Sequence, residues 1–142
     1  MSSWLLDTNV ISEMRRPRPN RKVVEFIARA PAHRLFISIA SIAELRGGIE
    51  DMEDPISRET LVQWLDHTVR PMFDGRVLAV TEDVLLRSLL IRDFGRKRRH
   101  TYSDHALLIA ATAVCNGLII ATRNIDDFEL TGVPVLNPWT AA

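Results

Sequence analysis

The chain has 142 residues, no formal net charge and 46% hydrophobic residues, which are the proportions of an ordinary globular domain. A chain of this length buries a core without disulfide or zinc staples, and the single cysteine, Cys115, has no partner for an internal disulfide. It contains no run of about 20 apolar residues, as a membrane span needs, and no basic start of a signal peptide. We therefore expect one domain over residues 1–142, located in the cytoplasm, with Cys115 as an inert core thiol.

Predicted strands and helices alternate along the chain. Short apolar runs predict strands over residues 4–6, 35–38, 77–80, 118–121 and 133–136. Helical spacing of apolar residues predicts helices over residues 20–30, from about 41, over 57–69, from about 81 and over 103–116. This alternation is typical of an α/β domain with a parallel sheet. Pro134 confines the last strand to an edge of that sheet, and Gly117 suits the end of the last helix.

Acidic side chains stand at the ends of these predicted elements. Asp7 follows the first strand, and Glu44 is expected in the first turn of the helix after the second strand. Asp104 opens the apolar helix before the fourth strand, and Asp126 and Asp127 come after that strand. Sites in open α/β sheets form beyond the carboxyl ends of the strands, so we expect these carboxylates to converge. Converging carboxylates repel one another unless a hard divalent cation binds them, and such an ion promotes phosphodiester hydrolysis.

Each acid also has a purely structural explanation. Asp7 is suited to cap a short helix, and Ser41 with Glu44 matches a capping box. Asp104 complements a helix dipole, an interaction worth about 0.3–1 kcal/mol. The two acids after the fourth strand suit a solvated loop. These explanations account for helix starts but not for convergence on one sheet edge.

Two basic segments flank the candidate acids and suit a polyanionic ligand. Their members are Arg15, Arg16, Arg96, Lys97, Arg98 and Arg99. Clusters of this kind are also common on solvated faces. No glycine-rich phosphate loop is present, and the histidines lack metal-ligand spacing, so we expect His105 to be a structural histidine.

Four motifs in order resemble the PIN-domain ribonucleases, and in particular the VapC-type toxins of bacterial toxin–antitoxin pairs. They occupy residues 5–13, 38–48, 104–113 and 121–128, and residues 135–139 resemble the closing strand of that family. The resemblance covers nearly the whole chain. It implies a three-layer α/β/α sandwich around a four- to five-stranded parallel sheet, Mg²⁺ or Mn²⁺ as cofactor, and hydrolysis of RNA phosphodiester bonds.

The same resemblance assigns roles to individual residues. Asp7 and Asp104 would be the principal metal ligands, and Glu44 a further ligand or the general base for the attacking water. Many relatives carry aspartate where this chain has Asn124, so Asp127 is a candidate to replace that acid. Supporting roles go to Thr8, Asn9, Thr122 and Asn124, the first two through hydrogen bonds to Asp7.

Partners follow from the resemblance as well. VapC-type toxins form homodimers and are silenced by a small antitoxin whose tail covers the acidic site, and their complexes contact promoter DNA only through the antitoxin. Leu61, Trp64 and Leu65 offer apolar surface for such contacts, although core packing accounts for at least two of them. Because Asn124 removes one acid, a PIN scaffold that binds RNA or a protein without cutting remains an alternative. A structure-specific DNA nuclease is a third possibility.

Overall fold

A five-stranded parallel sheet forms the centre of the computed structural model, which describes residues 1–141. Its strands are β1 (Trp4–Leu6), β2 (Leu35–Ser38), β3 (Val77–Leu78), β4 (Ile119–Ala121) and β5 (Val135–Leu136). The spatial order is β3-β2-β1-β4-β5, and every neighbouring pair is parallel. The predicted parallel sheet is confirmed, and β5 lies at an edge, as predicted, with Pro134 directly before the strand.

Helices cover both faces of this sheet. They are α1 (Thr8–Met14), α2 (Arg21–Arg29), α3 (Ile39–Glu50), α4 (Pro55–Trp64), α5 (Arg70–Met72), α6 (Glu82–Arg96) and α7 (Asp104–Asn116). A π-type stretch, Leu65–Val69, joins α4 to α5, so the helical segment predicted over residues 57–69 extends from Pro55 to Met72 and includes Pro71. Pro71 has no N–H to donate, so it leaves one gap in the hydrogen-bond ladder of this continuous helical segment.

The strands divide the core into two halves because successive side chains point to opposite faces of a sheet. Leu5 and Ile120 face one side, where they pack against α6 and α7. Leu6 and Ile37 face the other side, where they meet α1, α3 and the π-type stretch after α4. This arrangement is the three-layer α/β/α sandwich that the resemblance to the PIN-domain ribonucleases implies.

Cys115 is exposed, so the expectation of a core thiol is wrong. It follows the buried Ala113 by two residues, which places it on the far side of a helix with 3.6 residues per turn. Within residues 1–141, no helix has both the length and the apolar character that crossing a membrane requires.

Candidate active site

Asp7 anchors the site at the carboxyl end of β1, the central strand. Its side chain is buried, and Oδ1 accepts a 2.8 Å hydrogen bond from the backbone N–H of Thr8. Oδ2 accepts a 2.9 Å bond from the hydroxyl of Thr122 and lies 3.5 Å from the amide nitrogen of Asn9. Asp7 therefore caps α1, which is its structural role. The same hydrogen bonds fix its carboxylate at the carboxyl end of β1, where a site is expected. A buried carboxylate needs this many donors, because burial without them is costly.

The residues around Asp7 join the end of β1 to the end of β4. The side-chain amide of Asn9 donates to the hydroxyl oxygen of Thr122 at 3.2 Å, and Asn9 Oδ1 accepts from the backbone N–H of Arg123 at 3.2 Å. The hydroxyl oxygen of Thr122 also accepts from the backbone N–H of Asn124 at 3.0 Å. The side chain of Asn124 is exposed, so this residue enters the network through its backbone.

His105 lies between two candidate carboxylates. Its Nε2 is 3.1 Å from Asp7 Oδ1, and its Nδ1 is 2.9 Å from Glu44 Oε2. Burial alone lowers the pKa of His105, but the hydrogen bond to Asp7 and the charges of Asp7 and Glu44 raise it above its ordinary value. His105 therefore contacts both acids, and the expectation that its role is structural stays a prediction.

Glu44 reaches His105 from the second turn of α3, not from the first turn as expected. Helix α3 begins at Ile39, because the hydroxyl oxygen of Ser38 accepts the N–H of Ala40 at 3.0 Å and caps the helix. Ser41 is buried inside the helix and its hydroxyl has no partner, so the capping box does not form. The Glu44 side chain is 49% exposed, which leaves one side of it open to solvent.

The other predicted acids lie apart from this group. Asp104 is the first residue of α7, is exposed, and lines a shallow depression with Ser88, Leu89 and Arg92 of α6. Neighbouring residues on a helix point about 100° apart, so Asp104 faces α6 while His105 faces Asp7. Asp126 and Asp127 are exposed in the turn after β4. Among residues 1–141, no three His, Cys, Asp or Glu side chains are grouped as an ion would require, so the roles of Asp104 and Asp127 stay predictions.

The first basic segment lies beside the Asp7 network. Arg16 and Arg18 line a polar depression together with Arg123 and Trp139, and the Arg123 guanidinium lies 5.2 Å from the Trp139 ring centroid. Since the backbone of Arg123 bonds to Asn9, this basic surface adjoins the candidate site. Sequence reasoning left out Arg123 and Trp139 as contributors. The sequence did indicate Arg123, because it directly follows Thr122, a predicted supporting residue of the site.

The second basic segment is paired within its own helix. Arg96 and Lys97 lie 3.5 and 3.1 Å from the carboxylate of Asp93. The Arg98 guanidinium stacks on the ring of Phe94, 3.4 Å from the centroid. These cations are exposed, and their role in binding RNA stays a prediction, as does that of Arg15.

An acidic site at the end of the central strand of a parallel α/β/α sandwich is the arrangement of PIN domains. Residues 4–133 match the family model described as PIN domain, and the chain belongs to that family. It is 35% identical to the toxin FitB of Neisseria gonorrhoeae over 95% of this chain and 97% of the relative. It is 33% identical to the VapC ribonuclease Y4jK of Sinorhizobium fredii over 97% and 99% of the two chains.

Solved structures agree with this placement. The crystal structure of FitAcB from Neisseria gonorrhoeae superposes with a TM-score of 0.91 at 34% identity, covering 97% of this chain and 99% of the other. A structure of FitAB bound to the IR36 DNA fragment also has a TM-score of 0.91, at 32% identity, covering 98% and 97% of the two chains.

Proposed function

We propose that this protein is a divalent-metal-dependent endoribonuclease that hydrolyses RNA phosphodiester bonds and acts as the toxin of a toxin–antitoxin pair. The observation that carries the proposal is the buried Asp7 carboxylate, held by Thr122 at the end of the central strand and linked through His105 to Glu44. Relatives named as a toxin and as a VapC ribonuclease support it over nearly the full chain.

Asp7 offers carboxylate oxygen, the donor type that a hard divalent cation prefers. Asp7 is buried, and among the described residues its ion-pair partner is His105 rather than a lysine or an arginine. Mg²⁺ in proteins commonly binds one or two carboxylates and keeps several waters, so few side-chain ligands besides Asp7 are needed. When bound, Mg²⁺ or Mn²⁺ would supply charge neutralisation at the phosphate and activation of water. Asp104 and Asp127 remain the predicted additional acids.

Other residues of the chain would position Asp7, give water access to the site and bind the RNA phosphates. Thr122 and Asn9 hold Asp7 in one orientation. Glu44 is the predicted ligand or general base, and its exposed side gives water access to its carboxylate. Arg16 and Arg123 would bind the phosphates that flank the cleaved bond, because they lie on the surface that adjoins Asn9. Arg15 and the cations of residues 96–99 would extend this binding surface.

Protein partners complete the proposal. A small cognate antitoxin would cover the acidic site, and promoter DNA would be bound through that antitoxin. A second copy of the chain would cover the outer face of α6, where apolar side chains are about half exposed. The members of this face are Leu85, Leu86, Leu89, Leu90 and Phe94.

RNA cleavage by antitoxin-free protein tests the proposal. A mixed pool of transfer and messenger RNA is incubated with Mg²⁺, with Mn²⁺ or with chelator, and the products are mapped. We expect discrete cuts that need the ion and disappear in Asp7→Asn. Asp74→Asn, which removes an exposed carboxylate outside the site, is the matched control and retains activity. Cleavage that is equal in chelator, or unchanged in Asp7→Asn, would contradict the proposal.

A PIN scaffold that binds RNA or a protein without cutting is the second candidate. The absence of a three-ligand group within residues 1–141 favours it. It predicts RNA binding with no product in any ion, even with folded protein. Metal-dependent cuts that are lost in Asp7→Asn exclude it.

A further inference from the structure

A depression on the surface beside the Asp7 network combines an aromatic ring with several cations. This Trp139 depression is lined by Trp139, Arg16, Arg18 and Arg123, and its volume is about 460 Å³. Small-ligand sites commonly have volumes of about 300–1,000 Å³, so its size suits one nucleotide. The proposed phosphate contacts of Arg16 and Arg123 do not account for the tryptophan.

Trp139 is held in place by its backbone and by its side chain. Its backbone N–H donates a 2.9 Å hydrogen bond to Oδ1 of Asn137, and the backbone N–H of Ala141 donates to the carbonyl oxygen of Asn137, also at 2.9 Å. The indole packs against the half of the core that contains α1 and α3, and it stays partly exposed. A ring that is already fixed loses little conformational freedom when a ligand binds to it.

The lining of the Trp139 depression carries an excess of positive charge. Glu13 is its acidic member, and this carboxylate is 5% exposed and is paired with Arg16 at 3.2 Å. The pair leaves the Arg16 side chain 62% exposed. The Arg123 guanidinium lies 5.2 Å from the Trp139 ring centroid, and Arg18 is exposed. A ligand that suits this combination has an anionic group next to a flat ring, as a nucleotide has.

Arg123 joins the depression to the candidate active site. Its backbone N–H donates to Oδ1 of Asn9, and the amide of Asn9 donates to the hydroxyl oxygen of Thr122. Thr122 in turn donates to Asp7. A nucleotide in the depression would therefore lie close to the bond that the proposed nuclease cuts. Every nucleobase has a π-face that stacks on an aromatic ring, but that face is available only when the base is outside a duplex.

We propose that Trp139 binds one unpaired nucleobase of RNA by stacking, while Arg16 and Arg123 bind the phosphates beside that base. The inference rests on RNA as the proposed substrate and adds a requirement to it. RNA in which a base near the cleaved bond is free to enter the depression is preferred, and duplex RNA is bound only through its phosphates. Since stacking accepts every base, the requirement concerns the pairing state of the base rather than its identity.

Binding of oligouridine RNA and of an abasic ribose-phosphate oligomer of the same length tests the inference. Chelator is present so that no RNA is cleaved, and fluorescence anisotropy gives the affinities. We expect the wild type to bind the RNA about 5- to 100-fold more tightly than the abasic oligomer. Trp139→Leu should lose this difference without a change in the salt dependence, because it removes no charge. Trp139→Phe keeps an aromatic ring and should keep part of the difference.

Trp64→Leu is the matched control, because Trp64 packs against the same half of the core from α4 but is outside the depression. It should leave both affinities unchanged. The indole N–H signals of the three tryptophans give a direct readout by NMR. The signal that is missing in Trp139→Leu should shift more with oligouridine than with the abasic oligomer or with an RNA duplex. Thermal unfolding verifies that each variant is folded, and Trp139→Phe serves if the leucine variant unfolds.

The outcomes separate this inference from the proposed function. Equal wild-type affinity for the RNA and the abasic oligomer overturns the inference, as does an unchanged difference in Trp139→Leu, which would assign the depression to a protein partner. RNA cleavage is assayed with Mg²⁺ or Mn²⁺ on the same preparations. Base-dependent binding without cleavage keeps the stacking assignment and removes the nuclease, whereas cleavage without base-dependent binding does the reverse.

Discussion

The hydroxyl of Thr122 donates a 2.9 Å hydrogen bond to Oδ2 of Asp7 across a sequence separation of 115 residues. The bond joins two neighbouring strands at their carboxyl ends, since Asp7 follows β1 and Thr122 follows β4. Both side chains are buried, so water does not replace the bond when it is lost. Thr122 thus controls the orientation of the carboxylate on which the proposed chemistry depends.

Thr122→Val tests this positioning role. The substitution preserves shape but leaves Oδ2 with only the 3.5 Å contact to Asn9, and it removes the acceptor of the Asn124 N–H. Unpaired buried groups of this kind cost about 1–3 kcal/mol of unfolding free energy. We expect that loss together with at least an approximately tenfold lower cleavage rate, because a misplaced reactive group is costly to catalysis. Thr122→Ser restores the hydroxyl and should restore most of the rate, whereas equal activity in the valine variant would exclude a positioning role.

Gly95 supports the turn that leads into α7 and so into His105. A Cβ built at Gly95 lies 2.6 Å from Cε2 of Tyr102 and 3.1 Å from the carbonyl oxygen of His100. The Tyr102 ring has little freedom to move, because its hydroxyl donates to the carbonyl of Glu129. We expect Gly95→Ala to lower the unfolding free energy by about 1–3 kcal/mol in urea titration.

Gly47 is the matched control for that substitution, because it also lies within a helix but has open space around its Cβ position. Gly47→Ala should raise the unfolding free energy by about 0.5–1 kcal/mol, the ordinary gain of alanine over glycine in a helix. The same change in both variants would mean that the contact with Tyr102 does not limit the packing at Gly95.

The position of Asp7 could be predicted from the sequence, because an apolar strand followed by an acid has one clear interpretation in a parallel sheet. The rotation of α7 could not. This helix is apolar on nearly every side, so no hydrophobic stripe indicates which of its first residues faces the site. Asp104 and His105 were both available, and only the structure shows that His105 contacts Asp7. The start of α3 was ambiguous for another reason, since Ser38 and Ser41 are equally good caps by residue type.

Glu13 should make the stability of the fold depend on pH. The backbone N–H of Asn20 donates to Glu13 at 2.7 Å, and this bond, with a smaller contribution from Arg16, lowers the pKa of Glu13 below its ordinary value of 4.5. A carboxyl whose folded pKa is lowered stabilises the fold fully above its unfolded pKa, and the contribution is lost as pH falls through the folded pKa.

The comparison is urea unfolding of wild type and Glu13→Gln from neutral pH to well below 4.5. We expect the wild type to be more stable at neutral pH and the difference to shrink in the acid range. Glu25→Gln, which removes a half-exposed ion pair with Arg21 on the surface of α2, is the control and should change the stability little. A gap between wild type and Glu13→Gln that is constant with pH would show that ionisation of Glu13 does not stabilise the fold.

Arg123 should contribute to RNA binding through its position beside the Asp7 network. Arg123→Ala removes a cation that lies 5.2 Å from the Trp139 ring centroid, and we expect weaker RNA binding with a salt dependence reduced by about one counterion. Fluorescence anisotropy at several salt concentrations measures both quantities. Arg21→Ala is the control, since this exposed side chain pairs with Glu25 on α2. A larger effect from Arg99→Ala than from Arg123→Ala would move the binding surface to the second basic segment.

Leu86 and Leu90 lie one helical turn apart on the outer face of α6, 53% and 50% exposed, and we expect them to be covered by a second copy of the chain. Two glutamates on this face would place like charges in an apolar interface. Light scattering after size exclusion should therefore report a dimer for the wild type and a monomer for the Leu86→Glu/Leu90→Glu double variant. Ile56→Glu, on α4 and 78% exposed, should leave the mass unchanged. A wild-type monomer at high concentration, or a dimer that survives both substitutions, would assign this face to another partner.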